Sequence, residues 1–311
     1  MPKIVIAGAT GFIGHKLTSH LAESQATVVV LTRRPDAIRT PRHPLVSYVH
    51  WDGKNEGEWT RSVDGADAVI NLSGQSIAGK RWSNSRKEEL LSSRTQPTST
   101  LVQAMKAAGA RPPVLINASA VGYYGNVPME PVTEDYPRGN DFLGKLCGAW
   151  EAAALSAEEL GVRVVLLRSG IVLGADGGAL QRMLVPFRLF LGGSLGSGDQ
   201  WFPWIHLEDE VRAVLFALET HSISGPVNLA APEPATMRDF AKAIGSVLHR
   251  PSFFRVPEFV LRAMLGEMAD IVLTGQKVIP QKLSKAGFEF RFPKLTGALE
   301  NLFRSLDGSA A

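Results

Sequence analysis

The stretch Lys3-Ile4-Val5-Ile6-Ala7-Gly8-Ala9-Thr10-Gly11-Phe12-Ile13-Gly14 constrains the fold more than any other, because an apolar run passes straight into glycines spaced G-x-x-G-x-x-G. The run reads as a buried parallel strand. In the turn that follows, Gly8 takes the sharp bend, Gly11 lets the backbone approach a pyrophosphate, and Gly14 lets the next helix lie close to the sheet. The first N–H groups of that helix, with its positive dipole end, then face the phosphates, and Thr10, Phe12 and Ile13 complete the loop. A bare strand-to-helix turn is the alternative. The context argues against it: Leu17 and Leu21 continue a helical apolar face, and Val28 to Leu31 supply a second strand at βαβ distance.

At the end of that second strand an NAD-binding chain offers an acidic residue to the ribose hydroxyls. This chain offers Thr32-Arg33-Arg34 instead. A guanidinium there binds a 2'-phosphate as a fork, so the expected cofactor is NADP(H). Asp36 is close by but follows Pro35 and falls in the loop. Two solvated surface arginines are the alternative reading.

Further apolar runs lie near Val46 to His50, Ala68 to Leu72, Val114 to Ala118, Val162 to Leu167 and Val227 to Ala230, separated by stretches of helical periodicity. The expected fold class is therefore α/β, a Rossmann-type doubly wound parallel sheet, with a smaller α+β C-terminal substrate lobe. Residues 1–170 with about 206–231 would form the nucleotide-binding part, and 171–205 with 232–311 the lobe. At 311 residues, 45% hydrophobic and 20% charged, the chain can bury such a core. A net charge of +3, with Lys and Arg scattered, gives no reason to expect nucleic acid or membrane as a partner. The single cysteine, Cys147, excludes an internal disulfide, and the seven histidines show no metal-ligand spacing, so no metal is expected. With no apolar span and no leader-like segment, the expected location is cytoplasmic.

Ligands of such a sheet lie beyond the carboxyl ends of its strands. Asp52 stands there, as an acceptor for an adenine amino group or as a turn residue before Gly53. Leu72-Ser73-Gly74 has the small residues that let backbone pass beside a cofactor. The segment Glu88 to Arg94 looks helical, and Pro97 begins a new helix or kinks the old one. Gly192 to Trp204, dense in glycine and aromatics, reads either as a mobile loop closing over a ligand or as a structural cover. From this stretch and its end, Trp201, Trp204 and His206 are candidate substrate contacts. Asp209 most simply caps or charges the start of the next helix, and Thr236 caps a helix over Met237 to Leu248. Amphipathic segments follow at Pro257 to Leu265 and Gln276 to Ala286, in which Gln276 and Lys277 are speculative ligand contacts.

Several separated motifs carry a resemblance: Gly8 to Gly14, Asn71-Leu72-Ser73-Gly74, Ser93-Arg94, Trp150-Glu151, Arg168 to Gly174 and Trp204 to Asp209. Together they resemble the extended, epimerase-like short-chain dehydrogenase/reductases. Gly275 to Pro280 followed by Ala286 to Phe290 is similar to the C-terminal domain of the branch called epimerase family 39U. The resemblance implies an NADP(H) site using Thr32, Arg33, Leu72, Ser73, Glu89, Arg94 and Val172 beside the glycine loop. It also exposes a departure. The superfamily uses a Tyr-x-x-x-Lys pair on the helix after strand five, with a Ser at that strand's end. Alignment on Trp150-Glu151 puts Leu143 and Cys147 in the pair's positions, and alignment on the nearest lysine gives Asp141 and Lys145. Ser119 survives. The candidate catalytic set is thus Ser119, Tyr123, Tyr124 and Lys145. Two readings follow: an oxidoreductase or epimerase acting on a small carbonyl or alcohol as monomer or homodimer, or a non-catalytic NADPH-binding sensor working through a protein partner.

Overall fold

The structure, a computed structural model, describes residues 1–37 and 43–308, with side chains described through residue 304. Its strands are β1 Lys3–Ala7, β2 Thr27–Thr32, β3 Val46–His50, β4 Ala68–Asn71, β5 Val114–Ala120, β6 Val127–Val132, β7 Arg163–Ser169, β8 Ile171–Gly174, β9 Gly193–Leu195, β10 Trp201–Phe202, β11 Trp204–His206, β12 Gly225–Leu229, β13 Ala235–Thr236, β14 Phe254–Val256 and β15 Gln276–Val278. Its helices are α1 Phe12–Glu23, α2 Thr60–Val63, α3 Asn84–Ala107, α4 Phe142–Leu155, α5 Gly178–Arg188, α6 Leu207–Glu219, α7 Met237–Leu248, α8 Glu258–Leu265, α9 Asp270–Leu273, α10 Gln281–Lys285 and α11 Leu295–Gly308.

Seven strands form one parallel sheet in the order β12-β7-β5-β4-β1-β2-β3. Each apolar run of the sequence became one of them, because strands covered on both faces must be apolar throughout. Alternation divides the side chains between two cores. Ile4 and Ile6 pack with Leu17, Leu21 and Val211 on one face, and Val5 and Ala7 with Leu101, Met105 and Val164 on the other. Each fully buried aliphatic side chain contributes about 1.5–3 kcal/mol, so a one-residue slip of β1 would misplace all of them at once. Strand order reverses between β1 and β4, and the crevice of a doubly wound sheet opens at that point.

A third core, built from Leu173, Leu180, Phe202, Trp204, Phe240, Ile244 and Leu299, fills the smaller lobe. Around it the glycine-rich stretch is ordered into β9, β10 and β11, which pair with β14, β13 and β8. The pairing of these short strands is what the structural-cover reading expects. No new helix begins at Pro97: α3 runs through it, which leaves the other reading, an internal proline of one helix, and its buried ring lies against Gly53. The amphipathic segment from Gln276 folds as β15 and then α10, divided at Pro280. Thr236 caps α7 as expected, in a reciprocal capping box with Asp239.

Candidate active site

Gly8 sits at φ +81°, and a Cβ there would lie 2.6 Å from the carbonyl carbon and oxygen of Leu72. The β1 turn is thus pressed against the end of β4, and only glycine fits. At Gly14 a Cβ would fall 2.4 Å from the Gly8 oxygen, which brings α1 down onto the turn. Gly11 precedes α1 with no side chain capping the helix and no acidic residue in the first turn. The helix therefore presents bare N–H groups and its positive end to the crevice. The ring of Phe12 turns away to cover Gly174, Gly177 and Gly178. Thr10 is exposed beside it, and Ile13 packs toward the first core.

Arg33 and Arg34 are exposed just past β2, and among the described residues no carboxylate lies within ion-pair distance of either. Thr32 accepts a long contact from the Arg34 N–H (3.4 Å). Asp36 is exposed in a short 3-10 turn. Asp52 is committed to its own turn: its carboxylate accepts from the N–H groups of Lys54 (2.8 Å) and Asn55 (2.9 Å) and from the Asn55 side chain (2.6 Å). Those bonds, Asn55 first, hold its pKa down at about 2. The turn reading of Asp52 is what the geometry displays.

Beyond β4, α3 holds up the loop after Leu72-Ser73-Gly74. The Ser73 N–H donates to Asn71 Oδ1, which is rooted in a buried network through Thr98 and Asn117. Ser93 Oγ accepts from the Gln75 N–H (3.2 Å), and Arg94 donates to the Gln75 carbonyl (2.9 Å) with its guanidinium close over Gly74. Arg94 is buried without a carboxylate among the described residues, and burial pushes its pKa down. Glu89 is exposed and accepts from Arg86 Nη1 at 2.9 Å.

The end of β5 carries the decisive geometry. Ser119 donates to Glu151 Oε1 (2.6 Å), and Glu151 grips Arg168 through two bonds of 2.9 Å in a buried pair. Arg168 also donates to the Tyr124 hydroxyl (3.0 Å), which donates to Asn228 Oδ1 (2.6 Å). Burial pushes the Tyr124 phenol up to about 12. Cys147 is likewise buried and pushed up to about 12, so it is neither a thiolate nor a stand-in for a lysine cation. Lys145 lies on the exposed side of α4, and Asp141 accepts from the Gly144 N–H as that helix's cap. Tyr123 differs from all of these. It is half-buried, its ring covers the Arg168 guanidinium at 3.5 Å, and among the described residues its hydroxyl makes no hydrogen bond. Tyr123 also packs against the small apolar cluster of Leu90, Leu146 and Cys147.

The expected substrate wall is mostly interior. Trp204 is 1% exposed in the lobe core, beside a cavity of about 10 Å³ that holds no organic substrate. His206 caps α6 through Nδ1, which accepts from the Glu208 N–H (3.0 Å), and it stacks on Phe292; burial keeps its pKa low. Asp209, fully buried, does not cap that helix but accepts from the N–H groups of Arg291 and Phe292. Trp201 remains half-buried, donating to the Pro128 carbonyl with Lys277 over its ring. Gln276 is turned inward onto the Gly125 carbonyl. Val172 sits on β8, partly buried against the first core. Sequence reasoning missed Glu210, fully buried, which accepts from Ser169 Oγ (2.6 Å) at the end of β7 and is pushed up to about 8 by burial. An acid inside the helical stripe Val211, Val214 and Leu218 was the available signal.

Comparison with known proteins agrees with this layout. The NAD dependent epimerase/dehydratase family matches residues 4–230, and a domain of unknown function, DUF1731, matches residues 256–302. An epimerase family protein of Staphylococcus epidermidis is 39% identical over 306 residues, covering 98% of this chain and all of that one. The chloroplastic SDR39U1 homolog of Arabidopsis thaliana is 42% identical, covering 97% of this chain and 86% of its own. A crystal structure of human epimerase family protein SDR39U1 with NADPH superposes with a TM-score of 0.85 at 36% identity, covering 96% of this chain and 98% of the other.

Proposed function

Because this chain belongs to the NAD dependent epimerase/dehydratase family and carries a DUF1731 module behind it, we propose that it binds NADP(H) in the β1/β4 crevice and passes hydride to or from a small carbonyl or alcohol, with Tyr123 as the proton donor. The residues fit that cofactor. The Gly8 cradle excludes any side chain, the open start of α1 receives the pyrophosphate, and Arg33 with Arg34 is free to take the 2'-phosphate. The human relative, solved with NADPH, supports the same assignment. When bound, the cofactor supplies or accepts the hydride.

The observation that carries the reaction is the state of the four polar groups around β5. Ser119 is spent on Glu151, Tyr124 is locked between Arg168 and Asn228, and Cys147 is a buried thiol, which leaves the Tyr123 hydroxyl as the uncommitted phenol. In reduction Tyr123 would give its proton to the carbonyl oxygen, and solvent at its exposed edge would restore it. Arg168, held by Glu151, fixes the ring from below. Leu143 and Cys147 in the usual pair's positions favour the second reading, a sensor that binds NADPH without chemistry.

Incubation with NADPH and a panel of aldehydes and ketones tests this, with Tyr123→Phe and Tyr124→Phe alongside. Wild-type turnover that Tyr123→Phe abolishes, with NADPH affinity retained, is the expected result. Tight NADPH binding with no turnover on any carbonyl selects the sensor.

A further inference from the structure

The exposed large apolar side chains are unevenly spread. Val185, Leu189, Phe190, Leu191, Phe253 and Phe254, between 42% and 78% exposed, gather on one face of the small lobe. The end of α5 and the β14 strand meet there. The Phe254 N–H donates to the Gly192 carbonyl, β14 pairs with β9, and Arg250 lies 4.3 Å over the Phe190 ring. Phe190 is held at φ +62°, the left-handed position that glycine normally takes after a helix. A bulky side chain is disfavoured there, and this one gains little burial in return.

Beside the phenylalanines, a groove of about 250 Å³ runs between α7 and the β9/β14 ribbon. It is lined by Arg238, Lys242 and Arg255 together with Ser194, Ser197 and Ser252. Arg238 pairs with Asp199 at 2.7 Å, and among the described residues Lys242 and Arg255 have no carboxylate within ion-pair distance. Arg188 and Arg250 extend the positive charge along the apolar patch. The fold thus gathers cations that the sequence scatters.

We propose that this face docks on an anionic phospholipid surface, with a headgroup phosphate seated among Arg238, Lys242 and Arg255 and the exposed Phe and Leu side chains entering the headgroup–acyl boundary. Apolar tips ringed by Arg and Lys are the composition that binds such an interface. A two-fold contact between copies is disfavoured, since it would bring this cation-rich patch against the same patch of the other copy. Hydroxyl and cationic donors lining a concave groove suit the oxygens of a phosphate ester.

Flotation of the full chain with phosphatidylcholine vesicles, with and without phosphatidylglycerol, tests the proposal. Binding should require phosphatidylglycerol and weaken with salt. Reversing both Lys242→Glu and Arg255→Glu should weaken it roughly 30-fold or more, and Phe190→Ser or Phe253→Ser roughly tenfold each. NADPH titration of every variant reports that the fold is intact. No flotation with phosphatidylglycerol, or equal flotation by these variants and wild type, overturns the proposal. So does a dimer in solution that Phe190→Ser and Phe253→Ser abolish, which assigns the face to a second copy. Full displacement by soluble glycerol phosphate, with the phenylalanine variants unaffected, also overturns it and assigns the groove to a small phosphate ester.

Discussion

Replacing Gly8 with alanine tests the contact on which the crevice is built. The new Cβ must adopt φ +81° and would stand 2.6 Å from the Leu72 carbonyl carbon and oxygen and 2.9 Å from the Ser73 nitrogen. A left-handed alanine costs about 1–2 kcal/mol. The clash is with backbone rather than a rotatable tip, so β1 and β4 must part, at about 1–3 kcal/mol more. The expected loss is therefore about 2–5 kcal/mol in urea unfolding followed by fluorescence of the tryptophans. Gly11→Ala is the matched control. Its φ is −82° and its Cβ would come no nearer than 3.2 Å to the Gly8 oxygen, so it should cost under about 1 kcal/mol. NADPH titration of both proteins separates stability from cofactor binding. A Gly8→Ala protein as stable as Gly11→Ala would refute the close approach.

Arg33→Ala should cost NADPH about 1.5–3 kcal/mol of binding and leave NADH nearly unchanged, as read by parallel titrations; equal losses would mean the guanidinium does not read the 2'-phosphate. Glu151→Gln leaves the Arg168 cation buried beside a neutral amide and should destabilise by about 3–5 kcal/mol, with part of the loss recovered in Glu151→Gln/Arg168→Met. Glu210 makes stability fall with pH. Its folded pKa of about 8 lies above the ordinary 4.5, so between these values the unfolded carboxyl ionises while the folded one stays protonated. Stability is lost across that window and the curve flattens above about pH 8. Glu210→Gln should abolish the slope and gain on the order of 3 kcal/mol at neutral pH, and a slope that survives it belongs to another group.

The parallel sheet was legible because seven strands covered on both faces write themselves as apolar runs. The nucleotide cradle was legible because Gly8 and Gly14 answer to local geometry. The α7 cap was equally local: Thr236 and Asp239 lie three residues apart. Roles set by distant partners were not readable. Asp209 and His206 both stand at the start of α6, and which of them caps it depends on where Arg291 and Phe292 arrive, more than eighty residues later. Trp204 lies in a glycine-rich stretch whose composition also suits a lid, and only its pairing with Ile171 turns the ring inward. Two adjacent tyrosines look alike in sequence, yet one ends in a buried network and the other has an uncommitted hydroxyl.

The chain of bonds from Ser119 through Glu151, Arg168 and Tyr124 to Asn228 does not stop in the nucleotide-binding half. Asn228 donates to the Ile279 carbonyl, and Glu134 accepts from the N–H groups of both Asn228 and Lys282. Leu283 and Phe288 add their side chains to the first core. The tail thus acts as a keystone rather than an appendage. Severed from it, the front half would keep its strands but lose the groups that anchor its innermost polar chain, and so the two segments should melt together in a single cooperative transition.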